Sequence, residues 1–549
     1  MDPPAPRYED MPAPVITLQN NDTFVWGRHD FVDESFHLIE AVERPTAEVS
    51  EKNHDALPSS DDGESSSPSA VSYPATTDSS NNGTFIQSSL LYLPSELIDH
   101  VLSFLGPPEL ANVSSTCHLL SVHAKSDPAW VRHVQENVHI PLTSPYPCET
   151  YRELYISHDP HWFLSKYKLW FCDQFLTGKL VIGRYDPRRG CIEGYRLLAE
   201  RPPPTFTSWE EDDEVVIHSF NPQCRLHLDQ PVFQLNAHSL QCRMESYRSR
   251  PGQRFKDEIP MQLNKSNQGV YSNLLLARPV QELPGPQLWP PPTIPARQRV
   301  KGSAGDSLSA AHRPNKRSEV STQAFRIRRW MEMTGQNGSG IHLGEETSTY
   351  ATLDPKIYTP TEDKPYRGIW VGDFSGHGCE FLLINQPDDD EPFDEASVIQ
   401  RVDETFDEWE LRKKEERIYR GSLEAIKLTG DPNIPRGQYT FVADDISEEV
   451  YVERTATEAR FKGARFVKSR GHVAQTMFRD GKFVGLFVPW VANTPVDKYV
   501  ETQLIMISHN RLAQYWVAYG HISYYERVDI DQFLSPFNDP PPKPLATKA

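Results

Sequence analysis

The sequence predicts an α+β protein: a small block of three helices, then a mainly antiparallel β-barrel or sandwich with long disordered insertions. Apolar residues between 90 and 138 recur at helical spacing, whereas after Trp162 they alternate with a period near two between turn residues. A hydrophobic fraction of 38% and 47 prolines among 549 residues are typical of a globular part joined to disordered stretches. The chain is therefore expected to fold over only part of its length.

Shifts in composition set the expected domain boundaries. Residues 1–89 form a tail that offers little to bury, and 90–138 form the helical block. A β-rich domain is expected over 150–530, followed by a tail at 531–549. We expect two interruptions of this domain: a disordered insertion at 243–325, and an acidic helical insertion at 388–416 with 13 acidic and 4 basic residues.

Charge and composition exclude several classes of protein. The formal net charge of −20 argues against binding nucleic acid, and no apolar run approaches the ~20 residues of a membrane span. The seven cysteines are odd in number, widely spaced and without a C-x-x-C pair, so neither a disulfide framework nor a zinc ribbon is expected. Because Met1 to Asp10 lacks the apolar segment of a signal peptide, we expect a cytoplasmic and/or nuclear protein.

The helical block carries an ordered series of motifs. Leu93-Pro94-Ser95-Glu96-Leu97 is followed by Val101-Leu102-Ser103-Phe104-Leu105 and by Asp127-Pro128-Ala129-Trp130. This series resembles an F-box, a module whose apolar stripe is covered by the Skp1 adaptor. The resemblance implies that a Skp1-type adaptor, and through it a cullin, binds at Leu93, Pro94, Leu97, Ile98, Val101, Leu102, Leu105, Leu110, Val113 and Trp130. The alternative is a helical subdomain that packs on the strands.

A second resemblance covers the later strands. Gly368 to Gly378 and Leu428 to Gly437 look like the cyclin D1-binding domain of the F-box only protein 31 family. Taken alone, these residues predict a hairpin turn and a proline-stiffened loop, which would either hold a peptide or simply close the barrel. Aromatic, basic and loop residues here are the candidates for binding a protein substrate through a short degron: Trp370, His377, Asp431, Asn433, Arg436 and Trp516.

Together these features predict the substrate-recognition subunit of a Skp1–cullin–F-box ubiquitin ligase, which has no catalytic residues and needs no cofactor or metal. The runner-up is a peptide-binding scaffold that works without Skp1 and has no ligase role. Weaker alternatives are a Cys–His enzyme at His377 and Cys379, a zinc site at His218, Cys224 and His227, and a basic nucleic-acid segment at Arg297 to Arg329.

Overall fold

The structure, a computed structural model, describes residues 89–174, 176–209, 212–261, 263, 270–281, 288–302, 312–334, 340–374, 378–389, 391–431, 434–450, 460–473 and 498–539. All of these residues lie in one unit, Ser88–Ala549. The predicted N-terminal tail therefore lies outside the described residues, apart from Ser89.

The helices of the described ranges, in chain order, are α1 Ser95–Leu102, α2 Pro107–Val113, α3 His118–Lys125, α4 Asp127–Gln135, α5 Tyr151–His158, α6 Phe163–Lys166, α7 Ala237–Tyr247, α8 Pro355–Tyr358 and α9 Phe406–Ile418. The N-terminal block contains four α-helices in place of the predicted three, because the stretch from Leu110 to Leu120 forms parts of two helices, α2 and α3. Ser114 and Thr116 separate them, because each hydroxyl donates to a carbonyl three residues back, Ala111 O at 2.7 Å and Val113 O at 2.7 Å.

The strands of the described ranges are β1 Leu169–Cys172, β2 Leu180–Asp186, β3 Cys191–Glu200, β4 Phe206–Trp209, β5 Asp212–His218, β6 Gln223–Asn236, β7 Ile259–Met261, β8 Val270–Leu276, β9 Leu288–Trp289, β10 Val300–Lys301, β11 Ala324–Thr334, β12 Gly340–Ala351, β13 Gly368–Asp373, β14 Cys379–Asn385, β15 Leu423–Lys427, β16 Tyr439–Ala443, β17 Arg465–Val473, β18 Lys498–Ser508, β19 Arg511–Trp516 and β20 His521–Arg527.

These strands build two large sheets. The first has eight antiparallel strands in the order β6-β3-β2-β1-β12-β11-β8-β7. In the second, β13 to β20 follow one another as antiparallel neighbours, and pairing of β13 with β20 closes them into an eight-stranded barrel. The β4–β5 hairpin extends this sheet through a parallel pairing of β5 with β20. The predicted β-rich domain is thus an open sheet and a closed barrel.

The protein has three layers, namely the N-terminal helices, the open sheet and the barrel, because both faces of the open sheet are apolar. In β1, Leu169 and Phe171 face the outside of the barrel, whereas Trp170 and Cys172 face the helices. The helical layer is joined to the sheet by a row of aromatic rings, in which Trp130, Tyr155, Trp162 and Tyr185 follow one another at centroid distances of 5.4, 6.4 and 5.5 Å. The N-terminal helices therefore share a core with the sheet.

The described residues of the segment 243–325 do not form the unstructured insertion that the sequence predicts. It supplies β7, β8 and the β9–β10 pair, and β8 lies beside β11 inside the eight-stranded sheet. Its Trp289 and Ile294 are buried in the core between sheet and barrel. The apolar alternation at 215–220 and 225–235 would also predict that these two stretches pair with each other. They do not, since β5 pairs with β4 and β20 while β6 pairs with β3.

Candidate functional site

An exposed apolar face runs along the first N-terminal helix. Leu97 and Val101 of α1 are 49% and 42% exposed, Leu93 just before the helix is 37% exposed, and Phe104 just after it is 70% exposed. Leu97, Val101 and Phe104 are spaced four and three residues apart, so they lie on one side of the helix. We call these four residues the exposed helical face. An exposed apolar stripe of this kind indicates a binding surface.

The other side of α1 is internal, which corrects part of the predicted adaptor-binding set. Ile98, Leu102, Leu110 and Trp130 are buried in the core below the helices, and the Trp130 indole donates a hydrogen bond to Ala124 O at 2.8 Å. These four side chains hold the helices together and are not available to a partner.

The remaining predicted residues divide between surface and core. Pro94 is exposed next to Leu93, whereas Leu105 and Val113 are half-buried against the same core. Phe104 and two exposed residues of α3, Leu119 and Val122, are not in the predicted set. The spacing of Phe104 from Leu97 is compatible with a position on the same face. In the motif, however, Phe104 stands between Leu102 and Leu105, whose side chains belong to the core or pack against it.

The interior of the barrel changes from apolar to polar along its axis. At one end it is filled by aliphatic and aromatic side chains such as Ile384, Leu423 and Phe441. At the other end the buried side chains are charged or hydrogen-bonding: Glu380, Lys427, Asp431, Ser469, Thr502, Gln514 and Tyr525. We call this second set the polar barrel end. Burying a polar side chain costs free energy unless it has a hydrogen-bonding or ionic partner. The contacts of these side chains therefore explain how they can be buried.

A lysine and two carboxyl groups form its centre. The Lys427 Nζ lies 2.6 Å from Glu380 Oε2 and 2.9 Å from Asp431 Oδ2, and its side chain is fully buried. The same Nζ is 4.1 Å from the ring centroid of Phe374, a cation–π contact. The two carboxyl groups also act on each other electrostatically. The three groups therefore form one closed ion cluster inside the barrel.

The two carboxyl groups of this cluster titrate differently. Burial raises the pKa of Glu380 to about 8, so that its carboxyl group is mainly protonated near neutral pH. Burial acts in the same direction on Asp431, but the Lys427 ammonium outweighs it and lowers the pKa of Asp431 to about 2. The ammonium and one carboxylate thus balance each other, with the second carboxyl group neutral.

Uncharged groups continue the polar barrel end across the neighbouring strands. The Tyr525 hydroxyl donates to Gln514 Oε1 at 2.7 Å, and Gln514 Nε2 donates to Thr502 Oγ1 at 3.1 Å. The hydroxyls of Thr502 and Ser469 are 2.7 Å apart. Glu380 acts electrostatically on Tyr525, which places this network next to the ion cluster.

An aromatic rim surrounds this end of the barrel. The half-buried Trp516 donates its indole N–H to Ser523 Oγ at 3.0 Å, and Tyr519 is exposed at a centroid distance of 6.4 Å from it. Gly471 is required here, because a Cβ at this position would lie 2.5 Å from the Trp516 ring. Aromatic rings above a polar interior provide both apolar contact and hydrogen-bonding groups for a peptide.

The structure brings only some of the predicted substrate-binding residues to this end. Asp431 and Trp516 belong to it. Trp370 does not, because it is fully buried in the apolar part of the barrel and donates its N–H to Tyr366 O at 3.2 Å. His377 and Asn433 lie outside the described residues.

The Arg436 side chain lies outside the barrel, away from its polar end. Its guanidinium carbon lies 4.5 Å from the Trp289 ring, and the side chain donates to the Asp173 carbonyl. The backbone N–H groups of Gly430 and Arg436 donate to Thr177 O and Leu176 O, both at 2.9 Å. This loop is therefore braced against the residues that join β1 to β2, on the outside of the barrel.

Of the weaker alternatives, the zinc site is the one that the described residues address, because His377 of the Cys–His alternative lies outside them. His218 contacts Asp373, with 3.1 Å between His218 Nε2 and Asp373 Oδ2, and no group of three or more His, Cys, Asp or Glu in the described ranges is arranged to hold a metal ion. Within the described ranges, every helix is too short or too polar to cross a membrane.

Comparisons with known proteins agree with the two-part architecture. Residues 90–136 match the F-box-like family, and residues 350–532 match the family described as Cyclin D1 binding domain. Two relatives match shorter stretches. Protein EXECUTER 2, chloroplastic, from Arabidopsis thaliana is 33% identical over 109 residues, which cover 20% of this chain and 14% of that protein. Its namesake from Oryza sativa subsp. japonica is 27% identical over 137 residues, which cover 25% of this chain and 19% of that protein.

The two family matches include the two candidate surfaces. The F-box-like match contains the exposed helical face, and the second match begins at the end of β12 and includes the whole barrel with its polar end. The chain spans less than a fifth of either EXECUTER 2 protein. The chain therefore contains an F-box-like domain followed by a C-terminal domain of the cyclin D1-binding type.

Proposed function

We propose that this protein is the substrate-recognition subunit of a Skp1–cullin–F-box ubiquitin ligase. The observation that carries the proposal is the exposed helical face within the F-box-like domain. Covering Leu97, Val101 and Phe104 with an adaptor would remove three large apolar side chains from water, at ~1.5–3 kcal/mol for each one fully buried. A Skp1-type adaptor is the partner that an F-box uses for this purpose, and the adaptor in turn joins the complex to a cullin.

The second half of the proposal concerns the substrate. We assign the degron site to the polar barrel end and its aromatic rim, because a rigid barrel can hold a short peptide with little loss of conformational freedom. Trp516 and Tyr519 would contact apolar side chains, and the buried network below them would satisfy polar groups of the peptide.

The chain itself has no catalytic part in this scheme. It raises the local concentration of the substrate near a ubiquitin-loaded enzyme. The aromatic row from Trp130 to Tyr185 supports this role, since it makes the F-box and the sheet one packed body that holds the substrate at a set distance. We propose a cytoplasmic and/or nuclear location, with which the seven unpaired cysteines are consistent.

The experiment is a pull-down of the full chain with purified Skp1. The variant Leu97→Asp/Val101→Asp places two carboxylates on the exposed helical face, where they would be desolvated without partners in a complex but stay solvated in the free protein. The matched control is Val270→Asp/Met331→Asp, a similarly exposed apolar pair on the open sheet. Circular dichroism confirms that both variants are folded.

The expected result is retention of wild type and of the control, and loss of retention for the helical-face variant. Absence of wild-type binding would refute the ligase proposal and favour a peptide-binding scaffold that works without Skp1. Equal retention of both variants would show that the adaptor does not use this face.

A further inference from the structure

The acidic insertion between β14 and β15 ends in a helical arm with an unusual surface. We define the acidic arm as residues 398–418, which include α9. Within α9 only Ile418 is buried, so this helix packs almost no side chain against the barrel. A 13-residue helix without a packed face is marginal in water, so its stability has to come from local contacts.

Those local contacts are extensive and hold the segment before the helix in place. Thr405 and Glu408 form a reciprocal capping box at the start of α9. Arg412 binds both carboxylate oxygens of Glu404 at 2.7 Å and also donates to Ile399 O at 2.9 Å. The Trp409 indole donates to Val398 O at 2.8 Å. The backbone from 398 to 405 is thus fixed on one side of the helix.

This fixed segment presents apolar side chains to water. Ile399 is 78% exposed, Val402 is 101% exposed and Phe406 is 62% exposed. A mobile loop could turn such residues inward, but the contacts of Arg412 and Trp409 prevent this for the arm. Rigid exposure of three large apolar residues within eight positions indicates a binding surface.

The charge around these residues indicates the charge that a partner segment should carry. Residues 399–410 contain five acidic side chains and one basic side chain. Asp403 and Asp407 flank Val402 and Phe406 and make no ion pair with any of the described residues. A surface that is apolar and negative is complementary to a segment that carries aliphatic and basic residues.

We propose that the acidic arm is a docking surface for a partner-protein segment with aliphatic residues flanked by Lys and Arg. The arm is separate from the candidate degron site, because it joins the end of β14 to the start of β15, whereas the loop that carries Asp431 leaves the opposite end of β15. A substrate or an accessory protein could therefore contact the arm while a degron occupies the polar barrel end.

The test uses the full chain and a fluorescent 16-residue amphipathic peptide of Leu and Lys, titrated by fluorescence anisotropy. A peptide with Glu in place of Lys is the probe control. We expect Val402→Ser/Phe406→Ser to weaken binding about tenfold through lost apolar contact, and Asp403→Asn/Asp407→Asn to weaken it several-fold and reduce its salt dependence. The control Val270→Ser/Met331→Ser should stay within about twofold of wild type.

Three results would overturn the proposal. Arm variants that bind like wild type would place the peptide elsewhere, and equal affinity for the Lys and Glu peptides would remove the charge argument. Sedimentation velocity addresses a second copy as the occupant: self-association of wild type that Val402→Ser/Phe406→Ser abolishes would assign the arm to dimer formation instead. None of these outcomes depends on Skp1 binding.

Discussion

Replacing Glu380 with glutamine is expected to change how the stability of the protein depends on pH. Burial raises the pKa of this carboxyl group from 4.5 to about 8 in the folded chain. Between these values the unfolded chain has released the proton while the folded chain keeps it. The folded state therefore binds more protons, and the free energy of unfolding falls as the pH rises. Glutamine has the shape of the protonated acid and cannot ionise. The free energy of unfolding of the variant therefore lacks this contribution to the fall with rising pH.

The magnitude follows from the two pKa values. Relative to Glu380→Gln, wild type should lose about 3–4 kcal/mol of unfolding free energy between pH 5 and pH 8. The amide can still accept from Lys427, so this contact of the ion cluster is retained.

The assay is urea denaturation of both proteins at pH 5, 6, 7 and 8, followed by tryptophan fluorescence. The difference between the two proteins is used, because titrating groups remote from Glu380 cancel in it. A difference that stays constant from pH 5 to pH 8 would refute the assignment of a protonated Glu380 inside the barrel.

Three further predictions follow from burial and exposure. Leu102→Asp should destabilise the helices by several kcal/mol and lower the melting temperature, because an unpaired carboxylate would be buried there; melting like that of the exposed variant Leu97→Asp would contradict this. Burial lowers the pKa of His161 to about 3, so wild type should lose about 2–3 kcal/mol more than His161→Leu between pH 7 and pH 4.5, and parallel losses in urea titrations would contradict it. Trp516→Ala should abolish enrichment of peptides selected from a displayed library on the wild-type chain, whereas the remote variant Val270→Ser should not; survival of the same peptides on Trp516→Ala would remove the rim from the site.

The sequence predicts local structure well where neighbours along the chain pair with each other. The turn residues Asp186 to Gly190 and Ser375 to Gly378 predict the hairpins β2–β3 and β13–β14, and the strands of each hairpin pair directly. The parallel pairing of β5 with β20 joins residues about three hundred positions apart, and no local pattern encodes it. The strands of 243–325 were missed for the same reason, because β8 pairs with β11, which follows it only after a proline-rich stretch.

The candidate sites were predicted in outline but not residue by residue. Helical spacing identifies Leu97 and Leu102 equally well, because α1 is apolar on two sides, one for the core and one for the surface. Only the packing of Trp130 and Leu110 below the helix decides which side is internal. In the barrel, Trp370 and Trp516 are both strand aromatics, and their different depth depends on the closure of the sheet.

The most direct test of the central claim is the equilibrium binding of purified Skp1 to the full chain, measured by isothermal titration calorimetry for wild type and for Leu97→Asp/Val101→Asp. We expect saturable binding by wild type, and a loss of about 100-fold or more in affinity for the variant while it remains folded. Equal affinity of the two proteins, or no binding by wild type, would contradict the claim that the exposed helical face joins this chain to a ubiquitin ligase.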